Sequence, residues 1–127
     1  MVWTNAVGVA FTATLLSVSD VDATFVFPED GATNVLQRRA LSEESFSRAC
    51  EISGHVPLPP ALVGAYRQCK RDMIRIDALE ADERVSRERA AAYRRNLLGA
   101  FRHACAERGF DGETADRLID RLYREIR

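Results

Sequence analysis

Residues 62–101 read LVGAYRQCKRDMIRIDALEADERVSRERAAAYRRNLLGAF, and this stretch decides the fold of most of the chain. Apolar residues in its first half recur at spacings of four, three, four and three, which is typical of one face of an α-helix. They are Leu62, Tyr66, Cys69, Met73 and Ile76. A second stripe follows with Val85, Tyr93, Leu97, Phe101 and Ala104. The stretch therefore predicts two amphipathic helices, over about 61–79 and 85–108.

A third amphipathic helix is predicted after this stretch, over about 112–126. Gly109 can end the helix before it, and Asp111 can cap the new one. Its apolar stripe comprises Ala115, Leu118, Ile119, Leu122 and Ile126. Short connections between such helices indicate an antiparallel three-helix bundle over residues 58–127.

The sequence before the bundle predicts one short helix and a linker. Ser42 can cap a helix whose first turn carries Glu43 and Glu44, and this helix should end near Gly54. Residues 57–60 then include three prolines, which force an extended linker. The linker sets a predicted domain boundary between an N-terminal extension, 1–57, and the bundle, 58–127.

Residues 1–30 are rich in Val, Thr and Phe and leave several structures open. Val7, Val9, Phe11, Ala13 and Leu15 alternate with smaller or polar residues, as in a strand, and residues 23–27 form a second β-like run. A two-stranded hairpin alone is barely stable in water, so the segment packs on the helices, pairs with a partner's sheet, or is disordered. A short helix over 5–17 is a further alternative. The predicted fold class is therefore mainly α: an antiparallel three-helix bundle preceded by a short helix and a β-like or irregular N-terminal extension.

Charge is distributed unevenly along the 127 residues. The net charge is −1, yet residues 1–37 contain four acids and no Lys or Arg, whereas residues 38–127 contain all 18 basic residues and 15 acids. A pI near 6.1 argues against a dedicated nucleic-acid binder. No run approaches the roughly 20 apolar residues of a membrane-spanning helix. The first residues lack both the basic n-region of a signal peptide and the arginines of a mitochondrial presequence, so the N-terminus does not settle targeting.

Candidate catalytic residues are few. His55 lies in the proline linker and His103 on a predicted helix, and neither has a Cys or Ser partner at a recognised spacing. The three cysteines lie among apolar neighbours and are read as buried thiols. No phosphate loop, HExxH, GxSxG or zinc-finger spacing is present. The chain is accordingly predicted to be a non-enzyme with no metal site and no cofactor of its own.

Basic residues carry the main functional prediction. Arg67, Lys70 and Arg71 lie within just over one helical turn, while Arg95 and Arg102 lie with Arg94 on the next helix. In an antiparallel pair these sets could converge beside the apolar seam, where arginine grips carboxylates and phosphates in bidentate fashion. The alternative, that each arginine only solvates the surface and pairs with nearby acids, stays open.

The order of these motifs resembles the LYR-motif proteins, small three-helix proteins of mitochondria. Ala65-Tyr66-Arg67 is followed by Lys70-Arg71, then by Tyr93-Arg94-Arg95 and Ala100-Phe101-Arg102, and then by an Asp-led third helix. The resemblance covers about residues 58–127 and departs at Ala65, where the motif has leucine. A literal Leu-Tyr-Arg at residues 122–124 lies too near the end of the chain to precede two more helices.

The resemblance implies a partner and a location. LYR-motif proteins bind mitochondrial acyl carrier protein, whose phosphopantetheine-linked acyl chain enters a channel between the helices. By this likeness, six residues would face the acidic carrier: Tyr66, Arg67, Lys70, Arg71, Arg95 and Arg102. Phe101 would line the channel. The chain would then be an adaptor, accessory subunit or assembly factor of a mitochondrial respiratory complex, with residues 1–57 contacting the other subunits. The rival hypothesis is a helical interaction subunit that binds neither acyl carrier protein nor lipid.

Overall fold

The computed structural model describes residues 1–127 and divides into two compact units, Met1–Pro57 and Leu58–Arg127. The first unit contains five strands, β1 to β5, and one helix, α1. Their bounds are Val2–Thr4, Ala10–Thr12, Thr14–Val18, Asp22–Val26 and Thr33–Gln37 for the strands and Glu43–Ser53 for α1. The second unit contains α2 (Val63–Ala81), α3 (Arg87–Glu107) and α4 (Gly112–Ile126). Two single 3-10 turns, Arg38–Ala40 and Pro60–Leu62, precede α1 and α2.

Two antiparallel sheets make up the strand region of the first unit. β1 pairs with β2, with Trp3 opposite Phe11. β3, β4 and β5 form a three-stranded meander in which β4 is central. The pairing of β3 with β4 shifts between Leu15 and Ser17, which marks a β-bulge in that edge strand.

The core of this unit is aromatic and is completed by α1. Trp3, Phe25 and Phe46 are fully or almost fully buried, and the rings of Trp3 and Phe25 meet edge to face at 5.1 Å. Ser45 of α1 is also buried, and its hydroxyl accepts a 2.8 Å hydrogen bond from the backbone N–H of Thr4 in β1. Side chains of α1 thus cover apolar strand residues that a hairpin alone would leave in water.

The predicted fold class is wrong for the N-terminal half of the chain. Residues 1–37 form five strands in two sheets that share a buried core with α1, so they are neither a small β-like extension nor an irregular segment. Helix over 5–17 is likewise excluded, and the single strand predicted over 7–15 is replaced by β2 and β3. Gly8 has a φ of 89°, and the side chain of Asn5 accepts hydrogen bonds from the N–H groups of Val7 and Val9. These contacts fix a turn where alternation alone suggested a strand.

The second unit consists of three helices packed through the predicted stripes. Tyr66, Cys69 and Met73 are buried on α2, as is Leu62 in the 3-10 turn before it, and Ala115, Leu118, Ile119 and Leu122 are buried on α4. Ser86 and Asp111 cap α3 and α4 by accepting hydrogen bonds from the N–H groups of Arg89 and Thr114. The apolar stripe predicted for α3 is wrong at Tyr93, which is 38 % exposed. Ala90 and Cys105, which were not in the predicted stripe, are buried on α3.

None of the four helices combines the length and the hydrophobicity that a membrane crossing requires.

Candidate protein-binding site

The outer face of α2, defined here as Arg67, Arg71, Ile74 and Arg75, is the clearest candidate for a binding surface. These residues recur at spacings of three and four, so they lie along one side of the helix. All four are exposed, and Ile74 leaves 49 % of its surface in water. None of the three arginines forms a salt bridge within the chain, although arginines elsewhere in the unit do. An acidic partner would therefore not have to displace an internal carboxylate here.

Beside this face lies the Glu125 cluster, which consists of Tyr66, Lys70, Arg121 and Glu125. The Tyr66 hydroxyl donates to the Glu125 carboxylate, as do Lys70 Nζ at 3.0 Å and Arg121 Nε at 2.9 Å. The Arg121 guanidinium also lies over the Tyr66 ring, 5.4 Å from its centroid. One carboxylate of α4 thus holds two residues of α2 that were predicted to face a partner.

Burial and hydrogen bonding set the protonation states in the Glu125 cluster. Burial, reinforced by the hydrogen bond to the negative Glu125, raises the pKa of Tyr66 well above its ordinary value. Burial by itself would raise the pKa of Glu125, but the hydrogen bonds from Tyr66, Lys70 and Arg121 outweigh it and lower that pKa. At neutral pH, Glu125 is consequently ionised and Tyr66 protonated.

Phe101 and Tyr66 face the interior of the unit. Phe101 is 3 % exposed, and its ring meets the ring of Tyr66 edge to face at 6.1 Å. Leu62, Met73 and Leu118 have no exposed surface around the same core. Neither ring is therefore accessible to a partner, and the Tyr66 hydroxyl is bonded to Glu125.

The basic residues of α2 and α3 do not form the single rim that the sequence suggested. Arg102 of α3 pairs with Asp116 of α4, whereas Lys70 of α2 pairs with Glu125 of α4. Asp116 and Glu125 are nine residues apart, which is about two and a half turns, so they lie on opposite sides of α4. Arg95 lies two turns before Arg102, on the same exposed side of α3. Lys70 and Arg102, one from each of the two predicted groups, thus lie on opposite sides of α4.

Arg94 has a structural role. Its guanidinium binds Asp77 at 2.7 Å and also binds Glu80, so it ties α3 to the end of α2. These hydrogen bonds raise its pKa further above the ordinary arginine value. The alternative that arginines pair with nearby acids therefore holds for Arg94 and Arg102.

The cysteines are buried, and each histidine is paired with a single carboxylate. All three cysteines are free and buried, and burial raises the pKa of Cys69 to about 11, far from a reactive thiolate. His103 pairs with Glu107 on an exposed helix side. No three His, Cys, Asp or Glu side chains are grouped so that they could hold a metal ion.

Sequence reasoning missed four residues of this region: Ile74, Arg75, Arg121 and Glu125. The i, i+4, i+8 spacing of Arg67, Arg71 and Arg75 could have revealed the third arginine. The i, i+4 pair of Arg121 and Glu125 was visible too, but only the tertiary structure brings Glu125 to Tyr66 and Lys70.

Comparisons of the chain with models of protein families, with curated proteins and with solved structures found no match.

Proposed function

We propose that the chain is a non-catalytic adaptor whose helical unit binds an acidic protein along the outer face of α2. The observation that carries this proposal is the row of three exposed arginines without internal partners, beside an exposed isoleucine. Clustered positive charge speeds encounter with an acidic partner, and an apolar residue within the patch adds contact area that water would otherwise cover.

The proposed partner is acyl carrier protein, an acidic helical protein. This choice rests on the resemblance of residues 58–127 to LYR-motif proteins, in which the matching tyrosine and basic residues lie on one helix. Arg67 and Arg71 belong to both the motif and the exposed face. On this proposal the chain works in the mitochondrion as an accessory subunit or assembly factor, and an acyl-phosphopantetheine chain arrives with the carrier.

One observation favours the rival, a helical interaction subunit that binds neither acyl carrier protein nor lipid. Phe101, the residue expected to line an acyl channel, packs against Tyr66 in a core where Leu62, Met73 and Leu118 have no exposed surface. To admit a fatty chain, this core would have to separate, at the cost of apolar contacts worth about 25 cal/mol per Å². A partner bound only along the outer face of α2 requires no such change.

The experiment is a binding titration of the full chain against acyl carrier protein in three forms: without phosphopantetheine, with it, and acylated. We expect all three forms to bind, and tightest binding by the acylated form would support insertion of the acyl chain. Equal affinity for the three would show that the chain binds the carrier without taking up its acyl chain. No binding of any form at low ionic strength would contradict the choice of carrier protein and support the rival.

A charge-reversal pair identifies the surface. Changing Arg67 and Arg71 together to Glu should weaken binding at least about tenfold, because two attractive contacts become repulsive. The control changes Arg84 and Arg87 to Glu, an identical charge difference at exposed positions outside α2. Equal losses in the two variants would show that net charge alone, rather than this face, controls binding.

A further inference from the structure

The strand β5 lies at one edge of its sheet, and its outer side pairs with no other strand. β5 is the last strand of the β3-β4-β5 sheet, so only β4 pairs with it. Thr33, Val35 and Gln37 are exposed, and Val35 leaves 59 % of its surface in water. An edge of this kind offers backbone donors and acceptors to another strand.

The hydrogen-bond pattern shows which backbone groups are on offer. Phe27 N–H donates to the carbonyl of Ala32 at 3.2 Å, and Arg38 N–H donates to that of Val21 at 2.7 Å. In the register between these two bonds, Asn34 and Leu36 also direct their N–H and C=O groups toward β4. The N–H and C=O groups of Thr33, Val35 and Gln37 therefore point outward, away from the sheet.

β5 lacks the devices that normally prevent pairing between edges. The strand reads TNVLQ, without proline, lysine or any charged side chain, and its register with β4 is regular over five residue pairs. The opposite edge strand, β3, carries the bulge. Bulges and charges discourage pairing, so the sheet has one protected edge and one open edge.

Charges of opposite sign lie at the two ends of β5. Glu29 and Asp30 are exposed in the turn before the strand, and Arg39 is exposed just after it. Arg39 has no salt bridge, whereas its neighbour Arg38 lies over the Phe46 ring and pairs with Glu43. In an antiparallel pairing of two such strands, the acidic end of each would meet Arg39 of the other.

We propose that β5 binds β5 of a second copy of this chain, antiparallel and about a two-fold axis at Val35. The outward groups then match: Val35 faces Val35 of the second copy, and Thr33 faces Gln37 on either side. Each of these three residue pairs can exchange two bonds, which makes about six backbone hydrogen bonds in all. The product is a continuous six-stranded sheet.

The charge pattern favours a second copy over an unrelated strand. Self-pairing places both acidic ends against both Arg39 residues, a match that follows from the sequence of one strand. The contact is also closed, because each copy uses its open edge once and the bulged β3 remains outside it. A dimer, rather than an extended fibre, is the expected assembly.

The first test is sedimentation of the full chain over a concentration series, with backbone hydrogen exchange measured at both ends of the series. We expect a monomer–dimer equilibrium in which the amides of Thr33, Val35 and Gln37 gain protection as concentration rises. The amides of Asn34 and Leu36, bound to β4 in both states, should change little. A chain that stays monomeric to about 1 mM would overturn the proposal, because a dissociation constant of 1 mM corresponds to a binding free energy of only about 4 kcal/mol. Dimerisation without protection of the three outward amides would overturn it too.

Val35→Lys tests the centre of the pairing. It would place two lysines face to face across the two-fold axis and weaken the dimer at least about tenfold, since like charges directly opposite are destabilising. Val21→Lys, at an exposed position outside the edge, is the matched control and should dimerise as the unchanged chain does. Equal dimerisation of both variants would show that the dimer contact does not include Val35.

Charge exchange tests the orientation. Arg39→Glu, and separately Glu29→Lys with Asp30→Asn, should each weaken self-association because like charges then meet at both ends. Asp30→Asn keeps the side-chain oxygen that accepts the N–H of Ala32 at 2.9 Å. An equimolar mixture of the two variants should recover a heterodimer, since opposite charges then meet at both contacts. A mixture as monomeric as its components would exclude the antiparallel arrangement.

Discussion

Glu125 illustrates how one residue organises the helical unit. Its carboxylate receives hydrogen bonds from Tyr66, Lys70 and Arg121, so it joins α4 to α2 and fixes the hydroxyl of a buried tyrosine. Hydrogen bonds to an ionised group are stronger than those between neutral groups, although partial exposure weakens them by screening. Glu125 therefore stabilises the side of α2 next to the proposed binding face.

Glu125→Gln should lower the free energy of unfolding by about 1 kcal/mol at pH 7, because it removes the charge that three donors share. The pKa of Glu125 is lower in the folded chain than in the unfolded chain, where it is about 4.3. Its contribution is thus present above that pH and is lost as the pH falls through the folded-state pKa. In urea unfolding followed by circular dichroism, the two proteins should differ at pH 7 and converge toward about pH 3. Asp120→Asn, an exposed change on the same helix, is the control, and a pH-independent difference for Glu125→Gln would contradict this account.

At the scale of elements, α1 is what makes the N-terminal strands a folded unit. Phe46 and Ala49 are buried in the strand core, and Ser45 accepts a hydrogen bond from β1. The Arg48 side chain lies over the Trp3 ring, 4.6 Å from its centroid, and donates to the carbonyl of Val2. Loss of these contacts would return the strands to the marginal stability of isolated hairpins.

Ser45→Ala should destabilise the first unit by about 1–2 kcal/mol, because it leaves the Thr4 N–H without its side-chain acceptor. Trp3 is the only tryptophan and is fully buried in this unit, so its fluorescence reports the unfolding transition. The matched control is Ser47→Ala, which removes an exposed hydroxyl from the same helix. Equal midpoints for the two variants would show that the Ser45–Thr4 hydrogen bond contributes nothing measurable.

At the scale of the whole molecule, the two units carry opposite net charge. Residues 1–57 contain seven acids and three arginines, a balance of −4, and residues 58–127 contain twelve acids and fifteen basic residues, a balance of +3. The near-neutral total thus conceals a basic helical unit. Such a local field affects how fast a partner arrives more than how tightly it is held.

On the proposed function, association with acyl carrier protein should slow at least about tenfold between 50 and 500 mM salt, since the Debye length falls from about 14 to about 4 Å. Stopped-flow measurements should show a much smaller change in the dissociation rate. The Arg67→Glu, Arg71→Glu variant should show a flatter salt dependence than the unchanged chain. Association rates independent of salt would contradict an electrostatically guided encounter.

The sequence predicted all four helices because the signals that define a helix lie within a few residues of one another. Apolar spacing on α2 and α4, the caps at Ser42 and Asp111, and the prolines near residue 58 each act within a few residues. Tyr93 shows the limit of that information, since periodicity placed an aromatic ring on the buried side and the structure exposes it.

The tertiary structure alone decided the N-terminal sheets and the separation of the basic residues. Five short strands acquire their stability from Trp3, Phe25 and Phe46, which lie far apart in the chain and meet only after folding. In the same way, Arg102 pairs with Asp116 and Lys70 pairs with Glu125, on opposite sides of α4. Helical periodicity is a property of neighbouring residues, whereas strand pairing and interhelical ion pairs depend on contacts between distant ones, and so only the first could be predicted from the sequence.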